Sequence, residues 1–261
     1  MKRILSMISL VCACTLVQAQ TALPPVWQSD TQKEVQVSTR TIAYLPPTRI
    51  VWQETTGESS IQGLENLLLP GNGQADLFDG QITRIKNGAT GKASFLLDFG
   101  RELQGGIQVV TGRSSKKEMK IRVRFGESVS EAMCDITPEN GATNDHAIRD
   151  FYLTLPWLGV AEIGNSGFRF VRIDLEEPDA ELSLKEIRAT FGYRNIPYLG
   201  SFKCDNERLN DIWMTGAYTV HLNMQEYIWD GVKRDRLVWI GDLHPELMTV
   251  NTVFGYNEVI P

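Results

Sequence analysis

Apolar and polar residues alternate at period two through the middle of the chain. The stretches 93–99 (ASFLLDF), 106–111 (GIQVVT), 119–125 (MKIRVRF), 167–175 (GFRFVRIDL) and 184–191 (LKEIRATF) all show it. In MKIRVRF, Met119, Ile121, Val123 and Phe125 alternate with Lys120, Arg122 and Arg124. Successive side chains of a strand point to opposite faces, so this pattern predicts strands with one face against a core. Short alternating strands parted by glycine-bearing turns predict an antiparallel, jelly-roll-like β-sandwich over 93–198 rather than a parallel sheet. Residues 20–92 hold short strand-like pieces such as TRIVWQE at 48–54, interrupted by LPPVW, YLPPT and LLLPGNGQ, and predict a loop-rich β lead-in.

Near residue 200 the period changes. Asp205 is a fitting N-cap, and Leu209, Ile212, Trp213, Ala217, Val220 and Met224 fall on one stripe of a helix, with Leu209, Ile212 and Trp213 expected in its core contact. Pro245 suits the first turn of a second helix carrying Leu247, Val250 and Phe254. The architecture switches from sheet to helix, and the segment between the two helices is expected to be a loop.

That loop reads DGVKRDRLVWIGD at 230–242. Asp230, Asp235 and Asp242 alternate with Lys233, Arg234 and Arg236, while Leu237, Val238, Trp239 and Ile240 bring apolar surface among them. Apolar residues draw such a segment against other protein, where unpaired charge is costly, so the run reads as a pocket wall rather than a solvated face. The bland alternatives are a buried ion-pair network around Asp235 and helix caps at Asp230 or Asp242.

Composition narrows the partner. With 42% hydrophobic and 22% charged residues in 261, the chain has material for one large or two small globular domains. A net charge of −6 and no Lys/Arg-rich block argue against nucleic acid or an anionic membrane surface and leave a neutral ligand, such as a sugar, open among others. MKRILSMISLVCACTLVQAQ has the basic start, apolar stretch and small residues of a secretory signal peptide over 1–19, with cleavage after Ala19 and export expected; a lipoprotein through Cys14 is the weaker alternative. No later stretch is apolar enough to span a bilayer. Cys134 and Cys204 remain after the leader, and two Cys with three scattered His give no metal site and imply no cofactor.

The 230–242 run resembles the acidic signature of α-L-rhamnosidases of glycoside hydrolase family 78. LGSFKCDNERLNDIWMTGAYTVHLNMQ at 199–225 is similar to the start of their catalytic barrel, and FLLDFGRELQGG and GFRFVRI resemble the preceding sandwich. The resemblance implies that 199–261 is the first helical hairpin of an (α/α)6 barrel, truncated here, in an inverting enzyme acting on α-L-rhamnosides. It implies that Asp235 stands where the family has its proton donor, normally a Glu, and that Asp230, Arg234, Trp239, Asp242 and His244 contact the sugar. The family's general base is a Glu from a later barrel loop that maps onto nothing in this chain, so the chain as given is expected to be inactive alone. Two departures weaken the substrate assignment: the shorter Asp235, and Gly231-Val232 where many members have Cys-Pro. They leave open a six-hairpin glycosidase for another sugar, and a non-catalytic carbohydrate-binding sandwich is the alternative from a different class.

Overall fold

The computed structural model describes residues 39–77, 80–137, 149–255 and 259, all within the compact unit Ser38–Pro261. The expected leader, its cleavage site at Ala19 and the lipidation candidate Cys14 lie outside the described residues.

Among the described residues nine strands form in chain order: β1 (Arg40–Leu45), β2 (Arg49–Thr55), β3 (Ser60–Gln62), β4 (Thr83–Asn87), β5 (Ala93–Thr111), β6 (Glu118–Gly126), β7 (Asp150–Pro156), β8 (Gly159–Leu175) and β9 (Ala180–Arg194). Every pairing is antiparallel, in the order β3-β4-β9-β5-β8-β6-β7, with β1 added to β9 and β2 to β5. The two stretches 93–99 and 106–111 are halves of one long strand. The first half of β5 lies between β2 and β8, and its second half lies between β9 and β8. The change of partner falls at a register break around Gly105, whose φ of 140° and 2.0 Å approach of a Cβ to the Thr190 carbonyl oxygen admit only glycine. Strands that change partners fold the sheet over on itself and close a core.

That core is the predicted face of each strand. Met119, Ile121, Val123 and Phe125 are all buried, as are Phe95, Leu97, Phe168 and Ile173, and Phe168 meets Phe125 and Phe99 edge-on at 5.0 and 5.6 Å. The opposite face of β6 is not simply solvated. Arg124 is buried and pairs with Asp174 at 2.7 Å, beneath a short helix α1 (Val129–Met133).

Two longer helices follow. α2 (Glu207–Asn223) is capped by Asn206, whose side chain accepts from the Arg208 amide at 3.1 Å, so the cap lies one residue beyond the expected Asp205. α3 (Ile240–Val253) starts after Trp239, and Pro245 lies inside it rather than in its first turn. The earlier start has two physical supports: Asp242 faces the positive end of the helix, and Leu243 joins Leu247 in packing onto the hairpin cluster of Ala217, Met224, Ile228, Val250, Val253 and Phe254. Trp213 packs against that cluster as expected. Leu209 and Ile212 do not; they are 47% and 57% exposed and absent from that cluster. No described helix is long and apolar enough to cross a membrane. The architecture is an antiparallel sandwich followed by a helical hairpin.

The hairpin rests on the sandwich through polar contacts. Arg40 pairs with Glu226 at 2.6 Å, the Arg194 guanidinium donates to the Gln225 carbonyl, and Gln225 Nε2 donates to the Gly192 carbonyl at 3.1 Å. Tyr218 donates to the Glu102 carbonyl at 2.5 Å. His221 Nε2 stands 2.7 Å from the Arg194 carbonyl, which can only accept, so Nε2 carries the proton and Nδ1 accepts from the Tyr198 hydroxyl at 3.1 Å. Burial lowers the His221 pKa and favours this neutral form. Its role is packing.

Candidate active site

The signature joins α2 to α3, and most of it is loop. Asp230 closes that loop on itself: its amide donates to the Leu237 carbonyl and its carboxylate accepts from the Leu237 amide, both at 2.9 Å. Within the ring, a Cβ on Gly231 would come 2.3 Å from the Arg234 carbonyl oxygen, so the turn is built for glycine. The end of the run, Ile240 to Asp242, is the first turn of α3 rather than loop.

Two of the three cations turn toward the sandwich. Lys233 Nζ is 3.2 Å from Glu127 and in close contact with Glu131, while Arg236 donates to the Asn165 carbonyl at 2.7 Å and lies 5.7 Å from the centre of the buried Trp229 ring. Arg234 is left facing solvent, 65% exposed, with its Nε 4.0 Å from the half-buried Asp235. Trp239 is half exposed, and Asp242 and His244 are exposed on the first turns of α3. The loop therefore leaves Arg234 and Trp239 facing outward, keeps Asp235 partly buried, and uses Lys233, Arg236 and Asp230 to hold its shape.

Glu246 completes the acidic group and was not foreseen from sequence. It lies one helical turn after Asp242, is buried, and its Oε2 makes no hydrogen bond among the described residues. Burial, then the charges of Asp242 and Asp230, push its pKa up to about 7, so at neutral pH this carboxyl retains a proton about half the time. Asp230, Asp242 and Glu246 thus stand close enough to sense one another. Asp235 lies beside Arg234, its Oδ1 4.0 Å from the Arg234 Nε. The signal for Glu246 was its i, i+4 spacing from Asp242, hidden by placing the helix start at Pro245.

A second set of carboxylates lies on the sandwich side. Glu102 on β5 is half-buried, and burial, followed by the charges of Glu127 and Glu131 against that of Lys233, raises its pKa to about 8. Glu127 and Glu131 frame the start of α1, and both reach the signature loop. Beside the loop, a cavity of about 350 Å³ is lined by Glu226, Tyr227, Ile228, Val238, Leu243, Leu247 and Val259, a mostly apolar wall. Cys134 and Cys204 are both free, and no cluster of His, Cys, Asp and Glu suited to a metal ion occurs among the described residues.

Residues 197–261 match the family model of the bacterial α-L-rhamnosidase six-hairpin glycosidase domain. Among solved structures, a rhamnosidase from Klebsiella oxytoca with rhamnose bound superposes with a TM-score of 0.61 at 17% identity, over 83% of this chain and 42% of that one. A family 78 rhamnosidase of Bacillus sp. GL1 gives 0.56 at 22% identity, over 76% of this chain and 19% of that one. The chain spans less than half the length of either, and the likeness establishes the shared fold. A search of curated proteins gives no match. The chain is thus similar to the bacterial α-L-rhamnosidases of glycoside hydrolase family 78, through the six-hairpin match at 197–261 and the fold it shares with solved rhamnosidases.

Proposed function

We propose that the protein is an exported, inverting glycoside hydrolase that removes terminal α-L-rhamnose from oligo- or polysaccharides. One observation carries the reading: the six-hairpin match falls on the residues that form the acidic loop between α2 and α3. Inverting hydrolysis needs one acid to protonate the leaving oxygen and one base to activate water, with the two carboxyls ~6.5–9.5 Å apart. Asp235 is assigned the acid role. Its side chain is partly buried, 28% exposed, with Oδ1 shielded from solvent, the kind of setting in which a carboxyl can keep a proton for a leaving oxygen.

Asp230 and Asp242 are assigned to sugar hydroxyls, since ionised carboxylates accept strong hydrogen bonds from them. Trp239 presents a half-exposed ring suited to the C–H face or the methyl group of a deoxysugar, and Arg234 and His244 flank it. The base is assigned, as in the family, to a carboxylate of a later barrel loop. The test is hydrolysis of aryl α-L-rhamnosides by the protein expressed from its complete reading frame, with D235N and D235E alongside. We expect release of the inverted sugar, a loss of at least ~100-fold in kcat for D235N and retained activity for D235E. Equal activity of D235N and the parent protein removes Asp235 from the chemistry, and preference for another glycoside in the same panel removes rhamnose.

A further inference from the structure

Lys233 is where the signature loop meets the sandwich. Its Nζ is held by Glu127 Oε2 at 3.2 Å and by Glu131 Oε1, and Asp235 follows two residues later. Glu131 is aimed before the loop arrives. Its backbone amide donates to the Ser128 side chain at 3.2 Å and its Oε2 accepts from the Glu127 amide at 2.9 Å, an arrangement like a capping box at the start of α1 that leaves Oε1 for Lys233. The wall beside it is equally close. A Cβ on Gly167 of β8 would meet Val232 and Glu102 at 2.8 Å each and Lys233 Cβ at 3.2 Å, and Arg236 reaches the neighbouring Asn165 carbonyl. Apolar burial cannot fix the loop by itself, since Leu237, Val238 and Trp239 are each about half exposed.

We infer that Glu127 and Glu131 are positioning residues: acting through Lys233, they hold residues 230–237, and with them Asp235, in one conformation against the sandwich. The sandwich is then part of the site rather than a passive neighbour. The inference rests on reading the loop as the sugar site, but its physical content, the clamp, is measurable without turnover.

Amide hydrogen exchange separates the two. E131Q keeps the side-chain acceptor that α1 needs and removes the charge that Lys233 needs. In E127Q/E131Q and in K233E, exchange across 231–237 is expected to accelerate about tenfold while the amides of β5, β8 and α2 keep their rates. The charge-swapped K233E/E127K is expected to recover most of the protection, which a merely structural lesion would not. Unchanged loop exchange in E127Q/E131Q, or acceleration spread evenly over sandwich and helices, overturns the clamp. Adding L-rhamnose to the parent protein tests the other reading: slower loop exchange supports the sugar site, whereas a working clamp with no response to rhamnose leaves the positioning standing and removes the sugar.

Discussion

Glu246 is the residue whose chemistry depends most on its neighbours. Burial disfavours its charged form, and Asp242 and then Asp230 add like charge, raising it from an ordinary carboxyl value of 4.5 to about 7. A carboxyl that keeps its proton can donate to an oxygen that carries no hydrogen, which an ionised carboxylate cannot do. Carboxyl-carbon NMR is expected to show Glu246 titrating near 7, with D242N lowering the midpoint more than D230N because Asp242 is the larger contribution; a midpoint near 4.5 in the parent protein rules the cluster out. At this scale the sequence exposed what was contiguous. Asp230, Asp235 and Asp242 are visible because thirteen successive residues hold them, whereas Glu102 and Glu127 meet Lys233 from more than 100 positions away, and only the folded sheet creates that contact.

Among the elements, the strands of the sandwich were the most legible, because a two-sided sheet writes its core face into the sequence at period two. β5 still hid its length: 93–99 and 106–111 read as two separate strands, yet they are halves of one continuous strand that changes partner near Gly105. The helices were legible in kind and less so in extent. Pro245 is a strong start signal, overruled here by the packing of Leu243 and the charge of Asp242. The signature loop is governed by glycine rather than by its charges. Gly231 lets the Arg234 carbonyl oxygen fold back to a point where a Cβ would be 2.3 Å away. G231A must open that turn and strain both Asp230–Leu237 hydrogen bonds, so the Leu237 amide is expected to lose at least tenfold of its exchange protection while the melting temperature falls by roughly 2–4 °C. An unchanged Leu237 exchange rate in G231A would show that the ring closes by other means.

Across the whole molecule, sandwich and hairpin share a charged seam, and its least comfortable member is Glu102. Glu127 before α1, Glu131 on α1 and Lys233 on the signature loop face it, with Arg169 on β8 and Tyr218 on α2 also within electrostatic reach. Its folded pKa of about 8 lies above the ordinary 4.5, so the folded state holds a proton that the unfolded chain has already released. Stability carried by that proton is present in full below pH 4.5, declines as pH rises from 4.5 toward 8, and is flat above. Replacing the carboxyl with a neutral amide of the same shape removes the slope. E102Q is therefore expected to melt with the parent protein at pH 4 and to exceed it by on the order of 2 kcal/mol, roughly 4–8 °C, at pH 8, once solvent screening of this partly buried group is allowed for. Parallel melting curves for the two proteins from pH 4 to pH 9 would show that Glu102 ionises normally and that the seam carries no stored proton. The same series discriminates between a seam that merely tolerates its carboxylates and one that binds the loop, since E127Q/E131Q relieves the charge on Glu102 but releases Lys233. If the clamp binds the loop, E102Q raises the melting temperature at pH 7, while E127Q/E131Q accelerates exchange across 231–237 and leaves the core amides of β5 and β8 at their parent rates.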